Sequence, residues 1–410
     1  MNEKISTVRK WWLVFFMGVV SATGPLSMDM YLPGLPEMQR AFHSSASTLQ
    51  LSITFCLIGL AVGQLIVGPI SDRIGRRVPL VVGFGLYAVT SLMLIFTTNI
   101  YLFIGIRLIQ GLAGSTGQVL SRAVARDLFN GHELTKFYAM LMAVNGAFPI
   151  IAPIIGGALL SIVQWQGIFV LLFVIGILVM VGVLCTLPET LKVTNNEVLT
   201  LGQTFKGLGA MFGKRQFILI ALTQGLIFGA LFSYISASSF VFQTYFHMTV
   251  GQFSLLYAIN GLGIILGNNL PGYLPEQIKD SDILNGGLIG GGLIGGMFAG
   301  VLLVGSLLLR PMAILVIIPL FIVVFCVGVV NTVATSMAMS LGGRTNAGAA
   351  SAVLGLLMNI IGALASPLAG IMGTQSYAPL AWLIFGFEFL GLILFQLTRF
   401  WAKSSNYVDR

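Results

Sequence analysis

Runs of about twenty apolar residues recur along most of the chain, separated by short polar intervals. At about 1.5 Å of rise per residue, each run is long enough to cross a hydrocarbon core of about 30 Å as a helix. The pattern marks twelve of them: 11–33, 48–70, 78–97, 100–120, 137–160, 166–187, 216–240, 250–272, 283–309, 312–335, 347–371 and 379–400. The longest polar interval, 188–215, falls between the sixth and seventh runs. It holds Pro188, Asn195, Asn196 and four basic residues, which suits a linker. The expected architecture is an all-α membrane protein of twelve transmembrane helices in two six-helix halves. An N-terminal bundle covers 1–190, a cytoplasmic linker 191–215 and a C-terminal bundle 216–410.

Composition removes the soluble alternatives. Only 8% of the 410 residues are charged and 57% are apolar, where a soluble domain carries about 25% charge. Mean hydropathy is +0.96. A soluble enzyme, a nucleic-acid-binding domain and a disordered chain are all excluded. The net charge of +8 has another origin. Of 21 Lys and Arg residues, 18 fall in one alternating set of loops and only Arg40 and Arg310 in the other, while Arg107 lies inside a span. That bias puts both termini in the cytoplasm. The loop 273–282, with Glu276, Asp280 and Asp282 against Lys279, runs against it, but acids weigh little in the rule. The first run follows Lys4, Arg9 and Lys10 and reads as a retained span. Cys56, Cys185 and Cys326 are far apart, and His43, His132 and His247 fall in expected loops. No metal site is suggested.

The interval after the second run reads Gly68-Pro69-Ile70-Ser71-Asp72-Arg73-Ile74-Gly75-Arg76-Arg77. Its glycines suit a tight turn between close helices. Asp72 can accept from a basic residue or a helix N-terminus, and the three arginines are expected to anchor the loop at the membrane surface. This G-x-x-x-D-R-x-G-R-R pattern is the signature loop of the major facilitator superfamily. Further segments extend the likeness: Met28-Asp29-Met30-Tyr31-Leu32-Pro33, Arg107-Leu108-Ile109-Gln110-Gly111, Ser121-Arg122-Ala123-Val124-Ala125-Arg126-Asp127, Gly146 with Ala152-Pro153-Ile154-Ile155-Gly156-Gly157, and Leu187-Pro188-Glu189-Thr190. Together they resemble the Bcr/CflA group of drug:proton antiporters, in the twelve-helix drug-efflux branch. The likeness is strong over 25–190 and thins later to Tyr234-Ile235-Ser236-Ala237-Ser238-Ser239-Phe240-Val241. Asn268, Asn269 and Pro271 stand where a second Asp-Arg loop would fall.

The resemblance implies two halves around a central cavity and export of small amphipathic drugs driven by the proton motive force, with no other cofactor. It also implies a monomer in the cytoplasmic membrane. It makes Gly68, Asp72, Arg73, Gly75, Arg76, Arg77 and Arg126 a conformational latch. Gly146, Pro153, Gly156 and Gly157 become the antiporter element that bends the fifth span.

Ionisable residues at membrane depth are costly and usually functional, and the chain has three: Asp29, Arg107 and Glu388. Helical rise places Asp29 and Arg107 at similar depths in the outer half, where a carboxylate and a guanidinium would relieve each other's desolvation. By the resemblance both line the cavity. Glu388, near the centre of the last run, is a packing residue, a second proton site or a substrate contact. Tyr31, Asn145, Tyr234, Tyr257, Asn260, Asn331 and Asn359 are candidate cavity residues, each with a helix-to-helix hydrogen bond as its plainer alternative; Gln118 is a further such position. The glycine run 286–296 contains a formal G-x-G-x-x-G, but it lies in an apolar span and reads as small-residue helix packing. No Walker A loop is present, so ATP is not expected to power the protein directly. Export of a metabolite such as an amino acid, a proton-driven importer and a non-transporting sensor remain as alternatives. The partners expected are a small molecule, protons and lipid.

Overall fold

A computed structural model describes residues 7–129, 131–191, 209–275, 277–305, 313–342, 347–373 and 376–404. Among them, twelve helices have at least 20 residues. They are α1 (Thr7–Asp29), α3 (Ala46–Ile74), α4 (Arg77–Phe96), α5 (Ile100–Leu128), α6 (Gly131–Leu160), α7 (Gln166–Thr186), α8 (Arg215–Phe240), α9 (Val250–Asn269), α10 (Asp280–Gly305), α11 (Ile314–Gly342), α12 (Ala347–Ile371) and α13 (Ala378–Ser404). A short α2 (Leu35–Ala41) lies between α1 and α3. Ten of the long helices pass as membrane spans by length and composition. The twelve-helix reading holds, because in lipid only a helix pairs its own backbone groups within one segment.

Several boundaries differ from the hydropathy pattern, α5 running on to Leu128 and α11 to Gly342, past the expected ends at 120 and 335. The first run does not continue to Pro33: α1 ends at Asp29, and a 3-10 turn, Leu32–Gly34, follows. Residues 30–34 are apolar because they are buried, so hydropathy alone could not separate them from the span. His132 lies in the first turn of α6 and not in a loop.

Local chemistry explains several ends. Asn99 caps α5 by accepting from the backbone N–H of Tyr101 and Leu102 at 2.8 and 3.2 Å. Thr249 and Gln252 form a reciprocal capping box at α9, which satisfies two otherwise orphaned donors. Gly75, at φ +94°, reverses the chain between α3 and α4, a conformation that disfavours any residue with a Cβ.

Contacts group the chain into two compact units. One is 1–34 with 55–200 and the other is 35–54 with 201–410. Within the second, Gln50 Nε2 donates to the Ser236 carbonyl at 3.0 Å and Thr54 Oγ1 to the Ala363 carbonyl at 2.8 Å. Each unit packs a pair of helices through glycines in the same way. In the first, methyl groups added at Gly59 and Gly111 would overlap the carbonyl oxygens of Leu108 and Cys56, so α3 and α5 touch backbone to backbone. In the second, a methyl at Gly267 would overlap the Phe325 carbonyl and one at Gly328 would lie 2.5 Å from the Ile264 carbonyl, joining α9 to α11. Close backbone approach at small residues is how helices gain packing where lipid offers no hydrophobic drive.

Candidate functional site

The ionisable pair of the first unit is placed by the α1–α5 crossing. Gly117 faces Val20, and a methyl at Gly24 would lie 3.2 Å from the Gly114 carbonyl oxygen. Continuing this antiparallel register brings Arg107 opposite Tyr31, where the guanidinium carbon lies 4.4 Å from the ring centroid. Asp29 is the last residue of α1, two residues before Tyr31 in the chain. Asp29 is 9% exposed and Arg107 fully buried.

The guanidinium is held on three sides. Its Nη1 donates to Gln110 Oε1 at 2.5 Å. Gln110 Nε2 donates to Ser91 Oγ at 2.8 Å, and Ser91 Oγ to the Tyr87 carbonyl at 2.7 Å. Tyr31 covers one face, and Phe169 lies 6.0 Å from the guanidinium carbon. Phe169 is fixed in turn by edge contacts with Phe103 and Trp165 at 5.5 and 5.9 Å. Such cation–π packing favours a guanidinium most where water is excluded.

The glycine- and proline-bearing part of α6 supports this level from the other side. A methyl at Gly156 would overlap the Met30 carbonyl oxygen, and one at Gly34 would touch Leu160 at 3.4 Å. Gly156 thus lets α6 press against the segment that joins Asp29 to Tyr31. Pro149 and Pro153 lie inside the same helix. Gly157 is buried and Gly146 half-buried. The side chain of Asn145 lies outside the described residues.

The α3–α4 turn holds a second, charged cluster, and here one expectation is corrected. Arg76 is not a surface anchor: it is 2% exposed. Its Nε donates to Asp127 Oδ2 at 2.9 Å, and its Nη1 to Ser71 Oγ at 2.7 Å and Asp72 Oδ1 at 2.5 Å. Burial works against its charge, but Asp127 and then Asp72 outweigh it, and its pKa stands above the ordinary arginine value. The fork geometry of arginine lets one buried side chain join both acids, which a surface lysine-like role would not need. Arg73 and Arg126 are exposed. Gly68 is half-buried beside Val119, and the Arg77 Nη2 donates to the Leu184 carbonyl at 2.5 Å.

Glu189 closes the turn from the end of α7. Its carboxylate accepts from the backbone N–H of Arg76 at 2.8 Å, Arg77 at 3.1 Å, Thr190 at 3.0 Å and Leu191 at 2.9 Å. A methyl at Gly75 would overlap it. Desolvation pushes the Glu189 pKa up, but the four N–H donors outweigh it and hold the pKa below the ordinary value. A lowered carboxylate pKa contributes stability above its unfolded value, and that stability is lost as pH falls through the folded value. The expected result is that wild type loses thermal stability on acidification below the ordinary glutamate range. Glu189→Gln should lack that component of the loss, and identical pH profiles for the two proteins would contradict the assignment.

Asp127, Ser71, Glu189 and Gln110 were not singled out from the sequence as site residues. The signal was present for two of them. Asp127 and Glu189 are acids in intervals where basic residues outnumber acidic ones, and acids there need a reason.

In the second unit three expected cavity residues come together. The rings of Tyr234 and Tyr257 stack with centroids 5.6 Å apart at 18°. Asn260 Nδ2 donates to the Tyr234 hydroxyl at 2.9 Å, and its buried Oδ1 has no partner. Asn331 takes the plainer role. It accepts from Gln224 Nε2 at 2.9 Å and donates to Asn268 Oδ1 at 3.3 Å, linking α8, α9 and α11. Asn268 also accepts from Thr332 Oγ1 through its backbone carbonyl at 2.9 Å, so neutral amides stand where the first unit has charges. Gln118 accepts from Gln64 at 2.9 Å, and Asn359 is half-buried on α12.

Glu388, on α13, is 1% exposed, and neither carboxyl oxygen has a hydrogen-bond partner. A methyl at Gly291 of α10 would lie 2.7 Å from its Oε2. Gly287, Gly290 and Gly291 of the glycine run therefore face Val330, Cys326 and Glu388, and Gly291 leaves room for a carboxyl group. The corresponding contact of the first unit is Tyr87 of α4 against Gly176 of α7, with the large and small partners exchanged.

Comparison with known proteins bears on this geometry. Residues 15–367 match the Major Facilitator Superfamily. The chain is 39% identical over 390 residues to the uncharacterized MFS-type transporter YdgK of Bacillus subtilis (strain 168), covering 94% of this chain and 95% of that one. It is 30% identical over 270 residues to the bicyclomycin resistance protein homolog of Haemophilus influenzae, covering 66% of this chain and 67% of that one. Among solved structures, a point mutant of the nucleoside transporter NupG superposes with a TM-score of 0.77 at 13% identity, over 95% of this chain and 99% of the other. That likeness speaks for the fold.

Proposed function

We propose, from the premise that the chain belongs to the Major Facilitator Superfamily, that it is a proton-coupled antiporter exporting small amphipathic drugs. The chain is a multi-pass membrane transporter and not an enzyme, with relatives among antibiotic-resistance proteins. The observation that carries the finer reading is the buried level shared by Asp29, Tyr31 and Arg107, pressed from behind by Gly156.

In this reading Asp29 alternates between protonated and ionised as the site is exposed to one side of the membrane and then the other. An ionised Asp29 beside Arg107 makes a neutral site, and protonation leaves it net positive. A cationic drug or one that hydrogen-bonds the carboxylate competes with the proton, so inward proton flow drives drug outward. The proton motive force is the energy source. The membrane is the cytoplasmic one, both termini face the cytoplasm, and the protein works as a monomer. The α3–α4 cluster of Asp72, Arg76 and Asp127, with Gly68, Arg73, Gly75, Arg77 and Arg126 around it, serves as the latch on the cytoplasmic side. The second unit contributes Tyr234, Tyr257 and Asn260 to drug contact, and Glu388 is a second carrier of a proton.

The test is drug efflux from vesicles with an imposed proton gradient. Wild type should export drug until an uncoupler collapses the gradient, and Asp29→Asn should export none. Efflux that survives the uncoupler would contradict proton coupling.

A further inference from the structure

We infer that the open edge of the Arg107 guanidinium is a receptor for a carboxylate on the transported molecule, so that amphipathic acids and zwitterions belong to its substrate class. This rests on the reading of the Asp29–Arg107 level as the transport site.

The argument is one of unused donors. Arg107 is fully buried, and its Nη1 is committed to Gln110, which is itself fixed through Ser91 to the α4 backbone. Tyr31 covers a face. Nε and Nη2 are buried and have no hydrogen-bond partner. In a planar guanidinium these two N–H groups point along one edge as parallel donors. That edge matches the two oxygens of a carboxylate, the strongest pairing arginine makes. A buried cation with half its donors idle is costly, and a bidentate anion removes the cost. The guanidinium is already locked in place, so little side-chain entropy is lost when the anion binds.

The Gln110–Ser91 relay serves the receptor as a positioning device. It prevents the guanidinium from rotating to satisfy its own donors. A free chloride could not use both donors with the same geometry, which is why the planar carboxylate is the favoured anion.

The experiment uses a matched pair of fluorescent amphiphiles, dansylglycine and dansylglycinamide, which differ only in a carboxylate against a neutral amide. Purified full-length protein is titrated with each by fluorescence. Wild type should bind the acid at least about tenfold more tightly than the amide, the range for hydrogen bonds to a charged group. Arg107→Gln should erase the preference. Because a buried arginine can be needed for folding, Gln110→Glu is measured too. It neutralises the guanidinium from the Nη1 side at almost unchanged shape, and should also erase the preference. Equal affinity for the two probes in wild type, or a preference that survives both substitutions, overturns the inference. Proton release on addition of a cationic drug is read in the same preparation. If release occurs but the acid binds no better than the amide, the receptor fails and antiport stands. If the preference is present without proton release, antiport fails and the receptor stands.

Discussion

Arg76→Leu is expected to lower the thermal unfolding midpoint of the purified protein more than any other substitution in the α3–α4 turn. The side chain joins three groups that have no equal substitute: Asp127, Ser71 and Asp72. Removing one partner of a buried ion pair costs about 3–5 kcal/mol, since the other charge stays buried and unpaired. The two acids are not equally withdrawn from water. The Asp127 side chain is 13% exposed and that of Asp72 45%, so solvent screens the Asp72 share. The expected loss is therefore about 2–3 kcal/mol, carried mainly by Asp127. A double-mutant cycle of Arg76→Leu with Asp127→Asn should show strong coupling, and the cycle with Asp72→Asn weak coupling. Arg76→Lys should rescue only in part, because an ammonium has no rigid fork to span both acids. An unchanged midpoint in Arg76→Leu would contradict the buried network.

Gly156→Leu is expected to abolish transport while α6 still forms. Even a methyl group at this position would overlap the Met30 carbonyl oxygen. The neighbour is backbone and not the end of a flexible side chain, so α6 and the segment after α1 must separate. Overpacking of this kind costs about 1–3 kcal/mol, which a bundle of this size can absorb. The site cannot absorb it, because the displaced residues are those between Asp29 and Tyr31. Drug-induced proton release should vanish although the protein still elutes as a folded species. Gly386→Ala is the control. Nothing lies within 4 Å of a methyl there, and alanine in a helix interior is favoured over glycine by about 1 kcal/mol. Its stability should be unchanged or higher, with proton release intact. Normal release in Gly156→Leu would remove α6 from the account of the site.

Much of this was legible in the sequence, for reasons that particular residues make clear. The spans are long apolar runs because lipid demands them, and α7 and α12 lie close to where hydropathy puts them. Asp29, Arg107 and Glu388 stand out because a charge is rare at membrane depth. What hydropathy could not convey is which polar residues meet. Asn331 and Asn260 look alike as isolated amides in apolar runs. One is spent on Gln224 and Asn268 across helices, and the other leaves an acceptor unused. Arg76 looked like a surface arginine among three, because a run of basic residues does not say which one turns inward. Asp127 and Glu189 lie 51 and 113 positions from it along the chain, beyond any local pattern. The end of α1 at Asp29 was hidden for the opposite reason. The residues after it are as apolar as a span because protein, and not lipid, buries them.

Asp29 as the shared site of proton and drug is the central claim, and proton release reads it directly. Purified protein in weak buffer is mixed with a cationic amphipathic drug while the pH is followed, beside the Asp29→Asn variant. The account predicts that wild type releases protons as the drug binds and that Asp29→Asn releases none. Drug binding to wild type with no proton release, or equal release from both proteins, would contradict it.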